Sequence, residues 1–373
     1  MQLRAGSGAS CMFATMVNVY DSPPRPERHV PAGWPGMRGK RVVVTGGSRG
    51  LGEGIVRLLL AEGARVATCA REEAGLTALG ASLTGEERAR LFTDELDVTE
   101  PGRLEEFVTA SAKRFGEAGR MDVPGAVASA AAEPTGLDPA GPEATGPEAT
   151  GPEATGPEAT GPEATGPEVI GPEVIGPKLD SVEPDNAVPA SAEPAGLGGM
   201  DGVVACVGGS RGGTFAQADI ADWSATWDLN VGHAVRLVRA ALPHLRAAGG
   251  SVVLIGSISG WKPGPHAQYG AAKSAQIHLA ASLARELGPD RIRVNVVSPG
   301  SMLIPGRRWD RMRTREPEAY DAFVGAELPT GALVTPHEVA HTVVFLLSDW
   351  ASGVSGAHLP VDRAQNAPSP DGY

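Results

Sequence analysis

The sequence predicts an α/β fold: a single doubly wound parallel sheet with helices on both faces, interrupted by a disordered acidic repeat insertion. Three observations carry this reading. Short β-branched apolar runs alternate with segments of helical period along most of the chain. A glycine-rich turn, Thr45 to Gly52, joins the first such run to the first helical segment. Setting aside an irregular leader (1–39), a repetitive stretch (117–199) and a short tail (365–373) leaves about 240 residues in two parts, 40–116 and 200–364, the size of one such domain.

The elements follow in order. "RVVVT" (41–45) is a buried strand, and "GLGEGIVRLLLAE" (50–62) has the period of a helix. "ARVATC" (64–69) is a second strand, residues 72–81 form a short helix, and "ARLFTDELDV" (89–98) contains a third strand. A strong helix covers 100–116 with Pro101 in its first turn. Beyond the insertion, "DGVVACVGG" (201–209) is a strand and 222–247 one long helix. Strand "SVVLIGS" (251–257), helix 267–287 and strand "RIRVNVVSPG" (291–300) come next. A shorter helix covers 316–326, another 336–348, and "AHLPVD" (357–362) is the last strand. Strands alternating with helices require right-handed crossovers and a parallel sheet. Two similar fragments, "GRMDVPGAVASAA" from 119 and "GGMDGVVACVGGS" from 198, compete for the fourth strand. The later one lacks the proline and leads directly into the remaining pattern, so it takes that place.

The insertion holds five Gly-Pro-Glu-Ala-Thr units, two Gly-Pro-Glu-Val-Ile units and one Gly-Pro-Lys-Leu-Asp. Proline at every fifth position removes a donor and disfavours helix before it. Too few large apolar groups remain to offset the entropy of ordering, so the segment is expected to be disordered. Of the formal net charge of −12, the acidity resides here: 15 acidic residues stand against Arg120 and Lys178. The net charge argues against a nucleic-acid partner, but the rest of the chain is close to neutral, so the acidity says little about what the folded part binds. No apolar run approaches the length of a membrane span, and "CMFATMVNVY" (11–20) lacks a signal-peptide cleavage pattern. A start at Met37 would leave the alternating part whole. Cys11, Cys69 and Cys206 have no regular spacing, so neither a disulfide framework nor a zinc site is expected. Reduced thiols in a cytoplasmic protein are.

The chemistry gathers at strand ends. The turn "TGGSRGLG" has the glycines needed for backbone to approach a pyrophosphate, with a helix N-terminus aimed at it. "YGAAK" puts Tyr269 and Lys273 at i, i+4 on one helix face. Ser257 stands twelve residues earlier, at the end of an apolar strand, and "SPG" (298–300) ends the next one. In an open parallel sheet all four features fall at the carboxyl ends, where ligands bind.

With these residues the chain resembles the short-chain dehydrogenase/reductase family, and within it 3-oxoacyl-ACP-reductase-like members. The resemblance covers about 40–364 with the insertion removed, and implies a Rossmann fold. Its glycine motif matches Gly46, Ser48, Arg49, Gly50, Leu51 and Gly52. Its catalytic residues match Ser257, Tyr269, Lys273 and Asn230. Asp97 with Val98, Gly208, Pro299 and Gly300 complete the implied cofactor contacts. By this resemblance Tyr269 exchanges the proton with the carbonyl oxygen and Ser257 orients that oxygen. Lys273 lowers the phenol pKa and holds the nicotinamide ribose, and Asn230 holds a water in a relay toward Lys273. The family also implies a small carbonyl or alcohol substrate and a homodimer or homotetramer paired through the helices at 222–247 and 267–287.

Arg71, after the second strand, and Arg49, inside the glycine turn, favour a 2′-phosphate and hence NADP(H) over NAD(H), with Glu72 and Glu73 opposing. The sequence departs from the family in four places. "ACVG" (205–208) replaces Asn-Asn-Ala-Gly, and Ser257 is one residue nearer Tyr269 than usual. Ile304 stands near the place of a nicotinamide-binding Thr, and Arg363 replaces a glycine in "VDRA". Met302, Leu303, Trp309 and Met312 form either a substrate lid or ordinary packing under a loop. The alternative function is a dinucleotide-binding regulatory or scaffold protein.

Overall fold

The computed structural model describes residues 36–121, 199–247 and 249–366. Most of the leader (1–35), the pentapeptide repeats and nearly all of the tail lie outside the described residues, as does Cys11, whereas Met37, counted with the leader, is buried in the core. Seven parallel strands form one sheet in the order β3-β2-β1-β4-β5-β6-β7. The strands are β1 (Arg41–Thr45), β2 (Arg65–Ala70), β3 (Leu91–Glu95), β4 (Gly202–Ala205), β5 (Gly250–Ile255), β6 (Ile292–Pro299) and β7 (His358–Val361). The order reverses between β1 and β4, where a doubly wound sheet opens its binding crevice.

Alternation along each strand decides which core a residue enters. Val43 of β1, Val203 of β4, Val252 and Leu254 of β5 and Val294 of β6 face one core. That core is closed by α4 (Arg103–Met121), α6 (His233–Arg246) and α7 (Ala267–Leu287), through Phe107, Leu237 and Ala280 among others. Val42, Val44, Val204, Val253 and Val297 face the other core. There α1 (Gly50–Ala61) and α10 (Pro336–Leu347) cover them with Ile55, Leu59, Val339 and Val343. Because both faces are covered, the strands read as nearly continuous apolar runs.

The later of the two similar fragments does supply the fourth strand. Gly202, Val203 and Val204 pair with β1 on one side and with β5 on the other. Asp201 secures its entry: Oδ2 accepts from both the Arg41 backbone N–H and Nε, each at 2.8 Å. Residues from the two sides of the insertion therefore build one sheet, and the chain re-enters it at the amino end of β4, away from the glycine turn.

Three elements differ from expectation. The helix expected over 222–247 is broken into α5 (Ile220–Trp227), a π-helical turn (Asp228–Gly232) and α6. Asn230 in that turn spends its side chain on a neighbouring loop, described below. A short helix, α3 (Gly85–Ala89), follows α2 (Glu73–Ser82), started by a capping box between Thr84 and Glu87. A polar helix, α8 (Arg308–Arg315), precedes α9 (Pro317–Glu327). Its Trp309 stacks on Phe323 at 4.0 Å between ring centres. Leu303 and Trp309 thus join a third small core with Val324, Leu328 and Leu333, whereas Met302 turns to the cleft.

Candidate active site

β1 ends at Thr45 and α1 begins at Gly50. The chain turns between them through Gly46 at φ 77°. A β-carbon on Gly52 would lie 2.1 Å from the Gly46 carbonyl oxygen, so only glycine permits this turn. Arg49 precedes α1 in extended conformation and gives no side-chain cap. The leading N–H groups of α1 are left for a ligand, the arrangement that suits a phosphate.

A cleft of about 420 Å³ opens at the carboxyl ends of the strands. Gly46, Ser48, Arg49, Gly50, Leu51 and Gly52 line it from the turn, Arg71 from the end of β2, and Asp97 and Val98 from beyond β3. Gly208 lines it beyond β4, Ser257 beyond β5, Tyr269 and Lys273 from α7, and Pro299 and Gly300 from β6 and its end. Of the predicted site residues only Asn230 is absent from the lining. Cys206, Arg211 and Arg307 line it as well and were not singled out by sequence.

Asp97 sits among cations. Burial works to raise its carboxyl pKa, but the Thr99 N–H and hydroxyl at 2.9 and 2.7 Å, with the charges of Arg71 and Arg211, outweigh it and hold the acid below its usual range. Arg49 and Arg71 are exposed at the same rim. Ile304 reaches over the glycine turn, 3.5 Å from where a β-carbon of Gly50 would stand.

Ser257 closes the loop after β5 by accepting the Ser259 N–H at 3.1 Å. Its hydroxyl also faces that of Tyr269, in the first turn of α7, near enough to act on the phenol. Burial pushes the phenol pKa up, and the neighbouring Ser257 hydroxyl opposes this without reversing it. Tyr269 is thus a neutral phenol at pH 7. One turn on, Lys273 is 2% exposed. Its Nζ donates to the Ile255 carbonyl at 2.7 Å and to Gln276 Oε1 at 2.8 Å, and lies 5.6 Å from the centre of the Tyr269 ring. Burial lowers its pKa to about 7.

Asn230 acts from behind. Its Nδ2 donates to the carbonyls of Gly209 and Thr226 at 2.7 Å, and its Oδ1 accepts the Gly209 N–H at 3.3 Å. These bonds clamp the loop after β4 so closely that a β-carbon on Gly208 would fall 2.7 Å from Asn230 Oδ1 and 3.0 Å from Lys273 Nζ. The Asn230 backbone carbonyl accepts Gln276 Nε2–H at 3.0 Å. Gln276 was missed by sequence. The signal was there: Tyr269, Lys273 and Gln276 fall at i, i+4 and i+7 on one face of α7.

The unusual "ACVG" and "VDRA" segments each have a local account. Where Asn side chains are common, the Cys206 N–H donates to Thr45 Oγ1 at 3.1 Å. Burial pushes its thiol up to about 12, so it stays neutral. Arg363 and Ala364 hold left-handed backbone, φ 52° and 66°, where glycine is the relaxed choice. Arg363 Nη2 also donates to Glu338 Oε1 at 2.7 Å, tying the C-terminal turn to α10.

Comparison with known proteins agrees with this geometry. Residues 40–136 match the short chain dehydrogenase family, and residues 182–363 match the family described as enoyl-(acyl carrier protein) reductase. The pentapeptide units fall between the two matches. The chain is 34% identical over 170 residues to 2,3-dihydro-2,3-dihydroxybenzoate dehydrogenase of Escherichia coli, covering 44% of this chain and 68% of that one. It belongs to the short-chain dehydrogenase/reductase family. A short-chain type dehydrogenase/reductase of Mycolicibacterium smegmatis is 37% identical over 180 residues, 44% of this chain. The matched stretch spans 64% of that relative, just under two thirds of its length. Among solved structures, a short-chain dehydrogenase/reductase from Burkholderia thailandensis shares the fold at a TM-score of 0.60 and 24% identity, covering 88% of this chain and 94% of its own. Among the described residues no helix is long and apolar enough to cross a membrane, and no group of His, Cys, Asp or Glu is placed to hold a metal ion.

Proposed function

We propose that this family member is an NADP(H)-dependent oxidoreductase that interconverts a ketone and a secondary alcohol. The observation that carries the reading is the Ser257–Tyr269 hydroxyl pair beside buried Lys273, at the mouth of the glycine-lined cleft. The tight turn at Gly46–Gly52 and the uncapped α1 N-terminus fit a dinucleotide diphosphate, and Arg49 and Arg71 fit a 2′-phosphate. When bound, the nicotinamide supplies or takes the hydride.

The side chains do the rest. Ser257 donates to the substrate oxygen and stabilises the negative charge that develops there. Tyr269, held neutral by burial, hands its proton to that oxygen. A raised phenol pKa keeps the proton on Tyr269, the form that donates during reduction. Lys273 sits one turn away, with an N–H to spare for a ribose hydroxyl. Asn230 fixes the loop that carries Gly208.

The substrate class is a small carbonyl or alcohol compound, in keeping with relatives named as dehydrogenases of hydroxylated compounds. Ile220 and Trp227, apolar and exposed on α5, support pairing of subunits into a homodimer or homotetramer through this helix face. The free thiols Cys69 and Cys206 suit a cytoplasmic setting. Loss of NADPH absorbance with a panel of ketones tests the activity. Tight NADPH binding without turnover on any of them would favour the scaffold reading.

A further inference from the structure

We propose that Gln276 is a positioning residue for Lys273: its carboxamide locks the ammonium and joins it directly to the Asn230 carbonyl. The inference rests on the oxidoreductase reading for its catalytic meaning, though not for its test.

The side chain is fully buried. Its two ends are committed by chemistry. The Asn230 carbonyl can only accept, so it must face the Nε2 donor, at 3.0 Å. The Lys273 ammonium can only donate, so it must face Oε1, at 2.8 Å. The amide therefore cannot be flipped without leaving both partners unsatisfied. Ile255 at the end of β5 takes a second ammonium N–H at 2.7 Å. With two of its three N–H groups bound behind it, Lys273 has one left for the cleft that it lines.

The connection is rigid, and it is not a proton conductor. A carboxamide neither gains nor loses a proton at ordinary pH. The resemblance implied a water between Asn230 and Lys273; here a side chain spans that distance. A proton passed from Lys273 toward Tyr269 must then be replaced from the cleft side, through bound ligand or solvent, rather than through Asn230.

The surroundings make the lysine separable in a titration. The titratable groups facing it are Cys206 from beyond β4, His233 from α6 and Tyr269 from its own helix. Burial keeps the first two neutral, with values of about 12 and about 4, and raises the phenol. Among the described residues no carboxylate bonds Lys273. Between pH 5 and pH 9, roughly, only the lysine should change charge here.

The experiment is an NMR titration of the full chain with lysine labelled at Cε and Nζ. The sequence has five lysines, and the signal lost in Lys273→Met identifies the one of interest. Gln276→Leu removes an acceptor from the ammonium and should lower the Lys273 midpoint by about one pH unit. Gln276→Glu brings an opposite charge and should raise it by about one unit or more. Opposed shifts support the proposal. Titration of both variants with the wild type, or shifts of the same sign, would overturn it. If circular dichroism shows that one variant does not fold, the sign of the other decides alone. Absence of ketone turnover in the wild type would fell the oxidoreductase reading and leave this titration standing. With turnover, the pH profile of kcat should move with the same two signs.

Discussion

The hydroxyl of Ser257, from the loop after β5, faces that of Tyr269, from the first turn of α7, on the wall of one cleft. In the proposed reaction this pair would hold the carbonyl oxygen. Ser257→Ala should leave NADPH binding unchanged and lower kcat by about a hundredfold, because a donor aimed at developing charge is lost. Steady-state kinetics with titration of NADPH fluorescence checks both halves.

The proposed choice of NADP(H) rests on the cationic rim of Arg49 and Arg71. Arg71→Ala should raise the KM for NADPH by about ten- to a hundredfold, the worth of one charged hydrogen bond. The KM for NADH should change little, since it has no 2′-phosphate to lose. Equal effects on both cofactors would remove Arg71 from this role.

His233 gives the fold an acid limit. The ring is fully buried, with Nδ1 on the Leu229 carbonyl at 2.9 Å, and burial lowers its pKa to about 4. The unfolded chain binds that proton from about pH 6.5 downward while the folded chain refuses it. Stability is therefore fully present above about pH 6.5 and declines as pH falls toward 4. His233→Gln should remove about 3 kcal/mol of that decline. Urea unfolding of both proteins across this range measures the difference.

The insertion enters the sheet at the amino end of β4, whereas the cleft lies at the carboxyl ends. Replacing residues 122–198 by a five-residue Gly/Ser linker should leave kcat and KM nearly unchanged. The shorter connection should add about 2 kcal/mol of stability by lowering the entropy of loop closure. A folded but inactive replacement would give the repeat a part in catalysis.

Most of the sheet was legible because strands covered on both faces announce themselves as apolar runs. "RVVVT" and "SVVLI" needed no tertiary knowledge. The break at Asp228–Gly232 did. Nothing in the helical period of 222–247 records that Asn230 will bond both backbone groups of Gly209. The polar run at α8 also hid its helix, whose Trp309 packs on Phe323 and the small core beneath it. At the site, glycines and the Tyr–Lys pair were readable from spacing. Gln276 lay on the same face but looks like any polar helix residue until its two partners are seen. Arg211 and Arg307 come from loops, whose placement no periodicity encodes.

Tyr269 is proposed as the group that transfers the proton in a nicotinamide-dependent carbonyl reduction. The most direct test of this role is NADPH consumption by wild type and Tyr269→Phe with a ketone that the wild type reduces. The variant should bind NADPH as tightly as the wild type and lose turnover by at least about a hundredfold. A variant that reduces the ketone at the wild-type rate would contradict this role.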